Sequence, residues 1–219
     1  NCNDVGVITY YLESFVDGEK FIKYFIDDRI TKPVIVLKGG RTSSGIKAAS
    51  SHTGALGSSD KVVDAILTQF GIIRADDLND MFNTAKGFED FPTPKGNRVA
   101  VVTNAGGPAI LTVDTLEKNP VDLLPGGTAE QFKAVNEILA KDKNVDAIIS
   151  VFVEPIMVKA LPVIESINGI KSEKPIFQAV MPLPEFWQEY RTESKTQRAL
   201  FRRPEDPAVV IGNMLKFKY

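Results

Sequence analysis

The chain has 219 residues, 43% hydrophobic and 25% charged, with a formal net charge of −2, an ordinary globular composition with room for one large domain or two smaller ones. Lys and Arg are not clustered as a nucleic-acid footprint requires, and no apolar run approaches the ~20 residues that span a bilayer. The single cysteine, Cys2, excludes an internal disulfide framework and fits a reducing, cytoplasmic setting; the polar opening Asn-Cys-Asn-Asp does not read as a signal peptide.

Val5–Leu12 is apolar and β-branched and reads as a buried strand. Asp17 is placed to N-cap a helix carrying Phe21, Tyr24, Phe25 and Ile30, which Lys32-Pro33 stops. Val34–Leu37 is the next strand, followed by a Gly/Ser-rich loop over Gly39–Ser51. Ser58 or Ser59 caps a helix that buries Val62, Val63, Ile66 and Phe70 and ends at Gly71; Ile72–Ile73 is a short strand and Asp76–Gly87 a helix. Nearly all-apolar strands alternating with helices predict a parallel sheet covered on both faces.

Phe91–Asn97 is polar and rich in Pro and Gly and reads as a linker between a domain over 1–90 and a second over 98–219. The pattern then restarts: strand Val99–Thr103, tight turn Asn104–Pro108, helix Ala109–Glu117, a Thr128-capped helix Ala129–Leu139, strand Ala147–Val153, helix Ala160–Gly169, strand Ile176–Val180, strand Ala199–Phe201 and helix Pro204–Phe217. Phe186, Trp187 and Tyr190 share helical spacing and read as core or interface, and the short basic run Arg198–Arg203 as a solvated face. Two consecutive α/β units follow, each consistent with a flavodoxin-like fold.

Three segments carry chemistry. His52 is the chain's one histidine and lies in a Gly-, Ser- and Thr-rich stretch after a strand, where backbone N–H groups, Gly54 among them, can approach an anion. Imidazole is a good nucleophile near neutral pH; the competing reading is a loop histidine bonded to a nearby carbonyl. Asn104, Ala105, Gly106 and Gly107 join a strand to a helix start, where unpaired N–H groups and the helix dipole form a phosphate cradle; the competing reading is a tight turn that needs glycine for its geometry. Glu13 ends the first strand, where a carboxylate can bond one ring nitrogen of a histidine and leave the other free to attack; the competing reading is a surface glutamate. No metal-ligand set is assigned.

Lys38-Gly-Gly-Arg-Thr-Ser-Ser-Gly45, then Ala-Ala-Ser-Ser-His52-Thr-Gly-Ala-Leu-Gly-Ser-Ser-Asp60, resembles the active-site histidine segment of the NDP-forming acyl-CoA synthetases of the succinyl-CoA synthetase superfamily. The likeness runs through Phe70–Leu78 and resumes at Val101–Pro108, Asn119–Leu123 and Phe201–Asp206. It implies two flavodoxin-like three-layer α/β/α domains with parallel sheets. It also implies an acid-thiol ligase reaction in which acyl-CoA, phosphate and NDP interconvert with acid, CoA and NTP through an acyl phosphate. His52 would carry the phosphoryl group, Glu13 would orient it, and Gly106 and Gly107 would form a helix start facing the phosphate. CoA, ATP or ADP, Mg2+ and phosphate are implied for the complete enzyme, and none is expected in this fragment. The implied partners are a CoA-binding domain and an ATP-grasp domain, on the same polypeptide or another subunit, in an oligomer with neither nucleic acid nor membrane.

The family's usual opening strand and helix of the first domain are absent, so that domain is expected to be incomplete and the chain a fragment inactive alone. The passage from Lys118-Asn119-Pro120 into a Pro/Gly-rich loop, where another strand is due, predicts a break in continuity there, with similar junctions near Asn3–Val5 and Glu193–Arg198. Competing classes are the ligase-like regulatory region of a protein acyltransferase, in which the histidine is often missing, and a flavodoxin-like binding module without chemistry.

Overall fold

A computed structural model describes residues 4–15, 17–27, 30–53, 59–116, 120–123 and 126–217, without the side chains of 49, 50, 52, 53 and 120–122. The chain divides into two compact units, residues 1–89 with 216–219, and residues 90–215.

In the first unit the order is β1 (Ile8–Leu12), α1 (Gly18–Ile26), β2 (Val34–Lys38), α2 (Ser43–Thr53), α3 (Asp60–Gln69), β3 (Ile73–Ala75) and α4 (Leu78–Asp90). The three strands pair in parallel in the order β1-β2-β3, with Ile8 opposite Val34 and Ile35 opposite Ile73. Every residue of the central strand β2 is buried. Because successive side chains point to opposite faces, Val34 and Val36 pack with Val63 and Leu67 of α3 and with Phe21 and Phe25 of α1. Ile35 and Leu37 pack on the other face with Ile73, Ala75 and Met81 of α4. Two covered faces require the apolar run that the sequence shows.

Asp17 caps α1 as expected, accepting the Lys20 N–H at 2.8 Å. Gly71, at φ 65°, ends α3, and the Ile72 N–H returns to the Leu67 carbonyl at 2.8 Å. Two expectations fail here. Gly39–Ser51 is not all loop, since Ser43–Thr53 is helical; Thr42 Oγ1 accepts the Gly45 N–H at 3.1 Å, and Lys47, Ala48 and Ala49 are good helix formers that outweigh the serines. Val62 is 55% exposed, while Val63 and Leu67 form the buried stripe of α3.

The second unit contains β4 (Val99–Thr103), α5 (Gly106–Leu116), β5 (Pro120–Asp122), α6 (Ala129–Lys141), β6 (Ala147–Val153), α7 (Ala160–Asn168), β7 (Ile176–Met181), α8 (Phe186–Glu193), β8 (Leu200–Phe201) and α9 (Asp206–Lys216). All its pairings are parallel, in the order β5-β4-β6-β7-β8. Counted within the unit this is 2-1-3-4-5, the flavodoxin-like order, and the direction of winding reverses between β4 and β6. On one face Val102, Ile148, Phe152, Ile176 and Val180 pack with Phe132 of α6, Val163, Ile164 and Ile167 of α7, and Phe186 and Tyr190 of α8. The opposite-facing Val101, Ile149, Val151, Phe177 and Phe201 are equally buried, and α5 and α9 bury Ala109, Val210, Ile211 and Met214.

A strand does follow α5, contrary to expectation. Asn119-Pro120 reads as a breaker, yet Pro120 opens an edge strand, where its missing N–H breaks no ladder bond. Phe91–Asn97 is also more than a linker: Phe91 is 5% exposed, with its ring 4.4 Å from Phe177 and 6.4 Å from Phe201. Near the expected junction at Glu193–Arg198, the Thr196 carbonyl accepts from Asn168 Nδ2 at 2.8 Å and the Arg198 N–H donates to Tyr190 Oη at 2.8 Å. Asn3, Lys118 and Asn119, at the other two, lie outside the described residues.

Candidate functional site

In the first unit the chemistry-bearing residues gather by topology at the carboxyl edge of the sheet. Glu13 directly follows β1 and is half-buried, with Cγ 3.8 Å from where a Cβ on Gly39 would stand. His52 occupies the last turn of α2, the helix that leaves this edge after β2. Its ring, the expected bond from it to Glu13, and Gly54 altogether lie outside the described residues.

The sequence reading assigned no role to Lys38, which closes β2 and is only 4% exposed. Its Nζ donates to the Glu13 carbonyl at 2.7 Å and to the Gly39 carbonyl. Burial pushes its pKa below the ordinary 10.5; Asp60 opposes that push, Arg74 adds to it and Glu13 opposes it. Arg74 on β3 pairs in turn with Asp60 and Asp64 at the start of α3. The signal was available, since a lysine at the end of an otherwise apolar parallel strand stands where such sheets hold ligands.

In the second unit the reversal between β4 and β6 opens the crevice in which flavodoxin-like sheets bind ligands. Thr103-Asn104-Ala105-Gly106-Gly107 leaves β4 there. The Asn104 side chain, 2% exposed, is not available to a ligand: Nδ2 donates to the Val153 carbonyl and Oδ1 accepts the Val153 N–H, both at 2.9 Å. Ala105 is engaged as well, its N–H donating to Thr103 Oγ1 at 3.0 Å. Of the four residues expected to form the cradle, Gly106 and Gly107 have no side chain to engage in this way. Both are exposed, and their N–H groups precede the first intrahelical bond, from the Ala109 N–H to the Ala105 carbonyl.

Neither glycine is needed for geometry. The positive-φ glycines among the described residues are Gly40 and Gly71, and a Cβ on Gly106 or Gly107 would meet nothing within 4 Å. The tight-turn reading therefore fails, and the main chain at these two residues has open space beside it. Three other helix starts in this unit carry a cap or an acidic group: Thr128 and Gln131 form a capping box on α6, Glu154 Oε1 accepts the Ala160 N–H of α7 at 3.0 Å, and Asp206 stands in the first turn of α9. No acidic side chain stands in the first turn of α5. Such a terminus stabilises an anion by roughly 0.3–2 kcal/mol.

Glu154 was also missed. It follows β6 and is 8% exposed, and its second oxygen accepts the Leu183 N–H at 2.7 Å, so one carboxylate ties together the exits of β6 and β7 and the start of α7. A groove of about 520 Å3 lies at the opposite, amino edge of this sheet, lined by Lys141, Asp146, Gly169, Lys171 and Lys174, away from the carboxyl ends where ligands bind. Among the described residues no group of three His, Cys, Asp or Glu side chains could hold a metal ion, and no helix is long and apolar enough to cross a membrane.

Comparison with known proteins agrees with this architecture. Residues 1–88 match the model of the succinyl-CoA ligase like flavodoxin domain. The chain is 32% identical to the alpha subunit of acetate–CoA ligase (ADP-forming) II from Pyrococcus furiosus, over 92% of this chain and 51% of that protein. It is 36% identical to 4-hydroxybutyrate–CoA ligase (ADP-forming) from Nitrosopumilus maritimus, over 68% of this chain and 26% of that one. The chain thus spans about half, or a quarter, of the length of these relatives. A dinucleotide-forming acetyl-coenzyme A synthetase of Ca. Korarchaeum cryptofilum, solved with phosphate and ADP, superposes on 98% of this chain and 53% of its own with a TM-score of 0.86 at 24% identity, a likeness of fold.

Proposed function

Because the chain belongs to the NDP-forming acyl-CoA synthetases of the succinyl-CoA synthetase superfamily, we propose that it is the phosphohistidine-bearing part of an acid-thiol ligase. The reaction interconverts acyl-CoA, phosphate and ADP with acid, CoA and ATP. Phosphate attacks the thioester carbonyl and expels CoA, giving an acyl phosphate. A nitrogen of His52 then takes the phosphoryl group, the P–O bond to the acyl group breaks, and the free acid leaves. Transfer from phosphohistidine to the nucleotide completes the cycle, and the reverse direction uses the same steps.

Phosphohistidine is anionic, so its stabilisation calls for preorganised N–H donors rather than a further covalent partner. In this proposal Gly54 supplies a backbone donor for the phosphohistidine and Glu13 bonds the ring nitrogen that does not react, while in the second unit the N–H groups of Gly106 and Gly107 bind an anion such as phosphate at the start of α5. Asn104 and Ala105 act by shaping the turn. The sites for CoA, nucleotide and Mg2+ are assigned to a CoA-binding domain and an ATP-grasp domain, on the same polypeptide or on a partner subunit in an oligomer.

One observation carries the proposal: the chain's only histidine falls within the stretch matched by the succinyl-CoA ligase like domain, on the helix that leaves the carboxyl edge of β2 beside Glu13. The test is incubation of the full-length protein carrying this chain with γ-labelled ATP. An acid-labile, base-stable label that His52→Asn abolishes is the expected result. A protein that takes up no label, or an H52N variant that keeps it, refutes the proposal.

A further inference from the structure

Lys38 is a buried ionisable group to which this chemistry gives no task. Lysine is almost never this buried without partners, because taking an ammonium out of water is costly. Its apolar neighbours in β2 need no charge for packing. Its partners are instead two main-chain carbonyls just past the ends of two adjacent strands, Glu13 after β1 and Gly39 after β2.

The parallel ladder ends at Leu12 opposite Lys38, so Glu13 and Gly39 lie one step beyond the last paired residues. One further main-chain bond, from the Gly39 N–H to the Leu12 carbonyl at 2.8 Å, closes the rung. The ammonium then bridges the carbonyls that come after it. That bridge ties down the main chain from which the Glu13 side chain springs. Gly39 lies close by: a Cβ there would stand 3.8 Å from Glu13 Cγ, in ordinary van der Waals contact, and 3.3 Å from Tyr11 Oη, a tighter approach.

We propose that Lys38 is a positioning residue of the phosphoryl-transfer site, its protonated amine locking the exits of β1 and β2 so that Glu13 is held in register with the histidine-bearing segment. This rests on the phosphohistidine reading. The charged groups around the amine are Glu13 beyond β1, Asp60 at the start of α3 and Arg74 on β3. Asp60 is shared with Arg74, so Lys38 is not a simple member of that ion pair. Protonation makes the amine a charge-assisted and stronger donor to both carbonyls, and burial lowers the pH at which that proton leaves.

The test measures the rate of His52 labelling from γ-labelled ATP in the full-length protein, against pH, for the wild type, Lys38→Met and Lys38→Arg. Methionine matches the lysine stem without charge or donor; arginine keeps the charge beyond the pH range studied. The wild-type rate should fall on the alkaline side with a midpoint below 10.5, the ordinary lysine value. Lys38→Met should label about 10- to 100-fold more slowly, the scale of a slightly misplaced catalytic group, and lose that alkaline fall. Lys38→Arg should recover part of the rate with the fall moved to higher pH. Melting temperatures identify any variant that has not folded, and the two variants are read independently. Wild-type labelling by Lys38→Met, or an alkaline fall that neither variant alters, overturns the role of Lys38 and leaves the histidine reading standing. Absence of label from the wild type overturns the histidine reading itself.

Discussion

Asn104→Ala tests whether one amide holds open the crevice in the second unit. The side chain is 2% exposed and makes two bonds of 2.9 Å to the main chain of Val153. Thr103 is the last residue of β4 in the ladder, paired with Val151, so the amide supplies donor and acceptor where the departing backbone no longer does. Truncation leaves the Val153 N–H and carbonyl without these partners. At about 1–2 kcal/mol for each bond and the group it strands, the loss is about 2–4 kcal/mol. At roughly 3–4 °C per kcal/mol for a unit of this size, the melting temperature falls by about 6–16 °C. Thermal unfolding of the full-length protein, followed in the transition of the second unit, measures it. Asn104→Asp keeps the acceptor for the Val153 N–H but sets a carboxylate oxygen against the Val153 carbonyl, so it should be destabilised too. An alanine variant that melts with the wild type would show that the amide does not join β4 to β6, and the account of the crevice would fall.

Gly107→Val should leave the melting temperature unchanged or higher, because a side chain there meets open space and the helix gains from the loss of glycine entropy; if the α5 start holds phosphate, the KM for phosphate rises at least tenfold while the KM for acyl-CoA is unchanged. Asp146 is held at a pKa of about 2, against an ordinary 3.8, first by its hydrogen bonds from the Arg98 guanidinium. A depressed carboxylate contributes stability that is complete above 3.8 and is lost as pH falls toward 2. Asp146→Asn should therefore melt below the wild type at neutral pH, with the gap narrowing across that acid window; a gap that does not change with pH would refute the linkage.

The parts of the fold that were legible in sequence depend on neighbours in the chain. The bounds of β4 and β6 match the apolar runs, and the caps Asp17 and Thr128 work within three residues of themselves. The misreadings have the same origin. Serines and glycines masked α2, whose alanines and lysine favour helix. Asn-Pro masked β5, because a breaker in the interior of a sheet is acceptable at its edge, and edge position is a tertiary fact. Val62 and Val63 are both apolar, and which of them faces the sheet depends on a rotation of α3 that no local pattern fixes.

The candidate site was half legible for a related reason. Lys38, Asn104 and Glu154 each stand at or just past the end of an apolar parallel strand, the position at which sequence reasoning expects a ligand contact. All three instead serve the main chain: Lys38 bridges the Glu13 and Gly39 carbonyls, Asn104 both groups of Val153, and Glu154 the N–H groups of Ala160 and Leu183. The ladder stops at the carboxyl edge while the backbone still carries donors and acceptors that must be satisfied when buried. A polar side chain that takes over the next rung frees the chain to turn away, as at the exposed Gly106 and Gly107. Ligand contact and backbone bracket thus demand the same residue types at the same positions, and their partners lie as far as 49 residues away, as Val153 does from Asn104. Only the folded geometry tells them apart, and here it shows the side chains of Lys38, Asn104 and Glu154 engaged with the main chain.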